Sequence, residues 1–347
     1  MVKQNHFFRL LVVVLVLSVQ AIQGQRVGLV LSGGGAKGIA HIGVIQALEE
    51  NGIPIDYVAG TSIGAIIGGF YAMGLSPADM LTLIKSPEFY KWMNGTVEKQ
   101  YIDYIREPSP TPEIISTDIS LKDTALKPGK ILPTSLLNPI QMNFAFLQLF
   151  AQYTAACKGD FSKLFVPFRS VASNVDSFKP YIFRKGDLGD AVRASMSFPF
   201  VFKAIKVDGK LLYDGGIYNN YPVNIVKSDF NPDVIFGSIV CNHGNKPDDY
   251  DMIGQLTNMI MRPSDYNVPE ENGYQIQFNL QGVTLLDFQK ADSIYKVGYE
   301  TTIANIDSFK RLVKRRVDPL EVNMRRYLFR SKLPVLRFRK IEIHGVT

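Results

Sequence analysis

"RVGLVLSGGGAKGIAHIGV" (residues 26–44) decides how this chain folds. It opens with a continuous apolar run, as suits a strand buried on both faces. Three glycines follow. Apolar residues then recur at helical spacing, Ile39, Ile42, Val44, Ile45 and Leu48, until a stop at Gly52. The pattern repeats at once. "IDYVAGTS" (55–62) reads as a second short strand, and "IGAIIGGFYAMG" (63–74) as a small-residue-rich helix ending at Gly74. Strand–helix–strand–helix at this spacing predicts an α/β fold, with a parallel sheet covered by helices on both faces.

The glycine loop fits two chemistries. Gly33, Gly35 and Gly38 match G-x-G-x-x-G, the dinucleotide-binding turn, which needs an acid about 20 residues on, near the end of the second strand. That strand ends at Thr61 and Ser62, and Asp56 precedes it, so the dinucleotide reading fails its own test. The second strand instead ends in Gly60-Thr61-Ser62-Ile63-Gly64, a G-x-S-x-G nucleophile elbow between a strand and a helix. An acyl-transfer serine also needs donors for its oxyanion. Gly33, Gly34 and Gly35 can turn their N–H groups toward one point, with a helix start behind them and Lys37 adding positive charge.

Activation of Ser62 leaves three candidates. Of four histidines, His6 lies in the leader and His344 near the end, so His41 and His243 remain. His41 sits one turn into its helix and is expected to point away. His243 follows the apolar strand "PDVIFGSIVCN" (232–242). Asp214, in "YDGGIYNNYPV" (213–223), lies beside Gly215 and Gly216, although an Asp-Gly pair by itself is most often an ordinary turn. There is no C-x-x-C and no calcium-loop pattern, so neither cofactor nor metal is implied.

With 347 residues, 46% hydrophobic and 20% charged, the chain suits one large domain or two ordinary ones. Its net charge of +6 is uneven. Lys310 to Lys340 holds twelve Lys/Arg against two Asp/Glu, leaving 26 basic and 30 acidic residues elsewhere. At the other end, Lys3 and Arg9 precede "LLVVVLVLSV" (10–19), with small residues at Ala21 and Gly24. That is the pattern of a signal peptide over residues 1–24, and it predicts export. Cys157 and Cys241 are then a single candidate pair rather than a disulfide framework.

In the middle, "EPSPTPEIIS" (107–116) reads as a connector. "NPIQMNFAFLQLFAQY" (138–153) reads as a core helix, with a lid or lipid-facing element as the alternative. Residues 164–223 read as a β-rich run.

Four ordered segments, "SGGGAKG" (32–38), "GTSIG" (60–64), "ASMSFPFVF" (194–202) and "DGGIYNNYP" (214–222), resemble those of the patatin-like phospholipases, over about residues 26–245. The resemblance implies a three-layer α/β/α sandwich with a mostly parallel central sheet. It implies lipid acyl hydrolysis by a Ser–Asp dyad without histidine. Ser62 is then the nucleophile and Asp214 the base, with Gly33, Gly34 and Gly35 as oxyanion hole. Lys37, Gly38, Gly60, Gly64, Gly215 and Gly216 support the motifs. Ser32 stands where many members have an acid, and Lys37 where many have arginine. An ordinary aspartate, with a pKa of about 4, is a poor base for serine, so Asp214 is expected to be desolvated.

The implied partner is a phospholipid or related acyl lipid at a membrane surface. Some bacterial members continue into a POTRA-type module and an outer-membrane barrel. "VLRFRKIEIHGVT" (335–347) is similar to the first strand of such a module. The expected organisation is a signal peptide (1–24), an acyl hydrolase domain (25–307), and a basic helical linker leading into that module (308–347). The expected place is the periplasm, outer membrane or cell surface of a bacterium, which argues against nucleic acid as a partner of the basic tail. Two rivals stand beside this reading: a catalytically idle scaffold domain of a larger outer-membrane protein, and a hydrolase of small soluble esters.

Overall fold

A computed structural model of the chain describes residues 24–96, 135–241 and 252–335. The expected signal peptide up to residue 23, the connector at 107–116, His243 and the strand-like end from 336 lie outside the described residues.

The first half of the chain alternates as its glycine punctuation demands: β1 (Val27–Leu31), α1 (Ala40–Glu50), β2 (Tyr57–Thr61), α2 (Ile63–Ala72), α3 (Pro77–Ile84) and α4 (Pro87–Asn94). After α5 (Ile140–Ala156) come β3 (Phe168–Asn174), β4 (Lys179–Phe183), α6 (Leu188–Ser195), β5 (Ile205–Val207) and β6 (Lys210–Asp214). The remainder is α7 (Val223–Phe230), β7 (Val234–Ile239), α8 (Met252–Ile260), β8 (Gly273–Gln277), α9 (Ala291–Ala304), α10 (Ile306–Leu312) and α11 (Pro319–Arg330).

The strands form one sheet in the order β5-β6-β3-β2-β1-β7-β8, with β4 on the remaining edge of β3. Strands β1, β2, β3, β7 and β8 run parallel, β4 and β6 run against them, and β5, antiparallel to β6, returns to the common direction. All five residues of β1 are buried, as its unbroken apolar run requires. Val27, Leu29 and Leu31 face the layer that contains α1, α2, α5 and α6. Val30 faces Val223 and Val226 of α7 on the other side. The chain leaves β1 toward β2 in one direction, while β7 adds on β1's other edge. The strand order reverses between β1 and β7, so the glycine loop at the carboxyl end of β1 borders the crevice where ligands bind in open α/β sheets.

One pairing sets the site. β2 stops at Thr61, opposite Val171, but β3 runs on to Asn174. β6 takes over the vacated edge, pairing Asp214 with Ala172 and Leu212 with Asn174. The end of β6 thus arrives where β2 ends.

Three regions differ in detail from their sequence patterns. The run read as β-rich contains α6, because the Asp187 carboxylate caps it by accepting the Asp190 N–H, and Leu188, Ala191 and Val192 fall on one buried face. α5 does bury a core face, through Met142, Phe146, Phe150 and Tyr153, yet Ile140, Phe144 and Leu147 remain exposed. In the basic tail, Phe309 of α10 and Val313 are buried, and α11 packs on the domain. Arg326 pairs with Glu49 and lies over the Tyr71 and Phe165 rings. No helix among the described residues is long and apolar enough to cross a membrane.

Candidate active site

Ser62 occupies the turn between β2 and α2 at φ 57°, ψ −123°, a left-handed conformation costly for any residue with a side chain. The flanking glycines make the turn feasible. A Cβ on Gly60 would overlap the Gly64 carbonyl, and one on Gly64 would overlap the Leu31 carbonyl at the end of β1. The elbow is also held from outside. Ser195, at the end of α6, accepts the Ser62 N–H at 2.8 Å through its Oγ and donates to the Val171 carbonyl at 2.5 Å.

The edge handed from β2 to β6 brings Asp214 to the nucleophile. Ser62 Oγ donates to Asp214 Oδ2 at 2.7 Å, and Gly216 N–H donates to Oδ1 at 2.8 Å. The Asp214 N–H is held by the Ser197 carbonyl at 3.0 Å. Asp214 is 2% exposed. Burial pushes its pKa up to about 6, although both hydrogen bonds pull the other way. Gly215 fits only because it has no side chain, since a Cβ there would meet the Val171 carbonyl.

The glycine loop closes the site from β1, and its three amides are not equivalent. Gly33 N–H donates to the Asn220 carbonyl at 3.2 Å, so its role is shape: a Cβ would collide with Asn220 Oδ1 and press on Ser62. Among the described residues, the Gly34 and Gly35 amides find no acceptor in the protein. Gly35 stands at φ 58°, where a Cβ would strike the Leu285 carbonyl. Gly38 lets the 3₁₀ turn Gly35–Ile39 lie against Ile63, beside the nucleophile, and Lys37 is in the last turn of that segment.

His41 does not reach Ser62. Its Nε2 lies 3.0 Å from the Ser32 carbonyl and its Nδ1 2.7 Å from Ser238 Oγ. Burial lowers its pKa to about 4, so near neutral pH the ring is uncharged. A carbonyl can only accept, so Nε2 carries the proton and Nδ1 accepts from the serine. The imidazole therefore braces the root of the glycine loop. Ser32 Oγ completes that brace, accepting the Val240 N–H and donating to the Gly33 carbonyl.

Ser195, Asn220 and Tyr266 escape sequence reasoning. Asn220 joins the two halves of the site: its carbonyl holds Gly33, its Oδ1 lies beside Gly33 and Gly216, and its Nδ2 donates to the Tyr266 hydroxyl at 2.9 Å. Ser195 lies in "ASMSFPFVF" and Asn220 in "DGGIYNNYP", yet nothing local marks either as a brace. Cys157 and Cys241 are both free thiols. No cluster of His, Cys, Asp or Glu able to hold a metal ion occurs among the described residues.

Residues 29–227, more than half of the chain, match the family model described as Patatin-like phospholipase. An NTE family protein of Mycobacterium tuberculosis is 32% identical over 209 residues, which is 60% of this chain and 47% of that protein. The lysophospholipase NTE1 of Cryptococcus neoformans is 28% identical over 227 residues, 65% of this chain and 12% of that protein. The chain thus spans half or less of the length of these curated relatives. Among solved structures, VipD of Legionella pneumophila aligns with a TM-score of 0.46 at 15% identity, over 82% of this chain and 67% of that one. The matched stretch runs unbroken through the glycine loop, the serine elbow and the aspartate turn, and the chain belongs to the patatin-like phospholipase family.

Proposed function

We propose that this protein is a serine acyl hydrolase that cleaves ester bonds of phospholipids or related acyl lipids through a Ser62–Asp214 dyad. The observation that carries the reading is the 2.7 Å hydrogen bond from Ser62 Oγ to a buried carboxylate, formed at a strained strand-to-helix turn. Ser62 Oγ attacks the ester carbonyl and Asp214 takes its proton. The Gly34 and Gly35 amides receive the developing oxyanion, and the positive end of α2 adds to the field. Protonated Asp214 then gives its proton to the departing alcohol. In the second half, Asp214 takes a proton from water, the hydroxide attacks the acyl-enzyme, and Ser62 leaves with the proton returned. The raised pKa of Asp214 suits this two-way transfer, because it narrows the gap between base and hydroxyl. Names of relatives, patatin-like phospholipase and lysophospholipase, support a lipid ester as substrate.

The cationic leader and apolar run at the N-terminus support export. With the strand-like end of the chain, they support a place at the bacterial envelope, ahead of a membrane barrel in the full-length protein.

A fluorophosphonate probe tests the chemistry. It is expected to add one label to the wild-type protein and none to Ser62→Ala. Mass spectrometry of a mixed-lipid digest is expected to show free fatty acid from the wild type alone. No adduct and no turnover on folded protein would defeat the hydrolase reading and favour an idle scaffold domain. Turnover of soluble esters without lipid turnover would defeat the lipid part.

A further inference from the structure

One short segment joins both reacting groups to an exposed apolar surface. Ser195 Oγ holds the Ser62 amide, and the Ser197 carbonyl holds the Asp214 amide. Three residues on, Phe200 stands at φ 67° with 57% of its surface exposed. A bulky residue in this conformation is strained, and here no burial offsets the strain. The Phe200 carbonyl accepts the Leu136 N–H at 2.7 Å, and the Val201 carbonyl accepts the Leu137 N–H at 3.0 Å. This pairing lays the entry to α5 alongside.

Leu136, Ile140, Phe144 and Leu147 are 73%, 63%, 55% and 49% exposed. The last three, at i, i+4 and i+7, share the face of α5 opposite its core side. Buried Arg193 locks the parts together. It donates to Asn143 Oδ1 of α5, to Ser197 Oγ and to the Lys203 carbonyl.

The two segments paired at Phe200 differ in charge. Residues 135–157 contain no charged side chain. Along 200–212, exposed Lys203, Lys206 and Lys210 stand against a single acid, Asp208. An uncharged apolar patch edged by lysines matches the two layers of an anionic lipid surface, acyl chains below and phosphates above. We propose that Phe200, Ile140 and Phe144 insert into such a bilayer while Lys203 and Lys206 meet its phosphates, which seats the reacting groups over the lipid. The choice of partner rests on the lipid-hydrolase reading, but the test needs no turnover.

The Ser62→Ala chain is sedimented with vesicles of phosphatidylcholine, with and without phosphatidylglycerol. Adding Phe200→Ser, Ile140→Ser and Phe144→Ser together is expected to weaken partitioning to both vesicles by roughly tenfold or more. Adding Lys203→Gln and Lys206→Gln is expected to weaken it by about fivefold per lysine, on the anionic vesicles only. Leu320→Ser with Met324→Ser, exposed on α11, serves as control and is expected to leave partitioning unchanged. Unaltered binding of the triple variant, or an equal loss in the control, would overturn the proposal. So would a lowered melting midpoint or a dissociated dimer in the triple variant with binding intact, since the protein or a second copy then covers the patch. The hydrolase reading fails separately: a wild-type chain that docks by this surface yet takes no fluorophosphonate label refutes the chemistry and keeps the docking face.

Discussion

His41 and Asp214 are both buried, one at the root of the glycine loop and one at the reacting serine, and burial drives both toward neutrality. The His41 pKa falls from 6.5 to about 4, and that of Asp214 rises from 3.8 to about 6. What separates them is what they touch. His41 meets a carbonyl and a hydroxyl at the root of the glycine loop, so its proton has nowhere useful to go. Asp214 meets the hydroxyl of a strained serine. A perturbed pKa thus marks a buried group, and only its neighbours decide whether that group does chemistry.

The sharpest way to break this contrast is substitution. Asp214→Asn removes the proton acceptor and keeps the shape. Turnover of an ester substrate is expected to fall roughly a thousandfold or more, as with Ser62→Ala. Retention of turnover by folded Asp214→Asn would return the base to another group. Gly35→Ala comes next. It places a methyl against the Leu285 carbonyl at φ 58° and turns an oxyanion donor aside, so kcat is expected to fall by roughly a hundredfold. A smaller loss, about tenfold in kcat, is expected for Ser195→Ala, which leaves the Ser62 amide without its acceptor.

His41→Ala is expected to cost about 1–3 kcal/mol of stability, by unpairing Ser32 and Ser238, while the folded variant keeps turning over. Loss of turnover in folded His41→Ala would revive a histidine triad.

Stability against pH sharpens the same comparison. For Asp214 the folded pKa is raised, so the unfolded chain releases its proton first. Its effect is to lower stability as pH rises from about 4 to about 6, by roughly 3 kcal/mol in all. For His41 the folded pKa is lowered, so the unfolded chain takes up its proton first. Its effect is to raise stability as pH rises from about 4 to about 6.5, by a similar amount. The two nearly cancel in the wild type. Melting curves are expected to show stability rising with pH over this window in Asp214→Asn and falling in His41→Ala. Equal slopes in the two variants would contradict the opposed shifts. Activity follows Asp214 alone, and kcat/KM is expected to drop on acidification through about pH 6.

The glycine loop and the serine elbow were legible because their signals are local. A strand buried on both faces is an apolar run, a helix is a 3.6-residue period, and tight turns call for glycine. Those signals carried the α/β class, the place of Ser62 and the exclusion of a dinucleotide site. They could not say which of His41, His243 and Asp214 meets the serine from the residues alone, and the family resemblance pointed to Asp214. The meeting of Ser62 and Asp214, 152 residues apart, depends on a length difference between strands: β3 outlasts β2 by three residues, and β6 takes its free edge. Tertiary structure likewise decided that the Gly33 amide goes to Asn220, that His41 braces a carbonyl, and that α5 shows apolar side chains on two faces. Sequence periodicity fixes which residues share a face, and dihedral preference fixes where the chain can turn. What lies across from a given face or turn is set by packing between distant segments, whose partners no local pattern encodes.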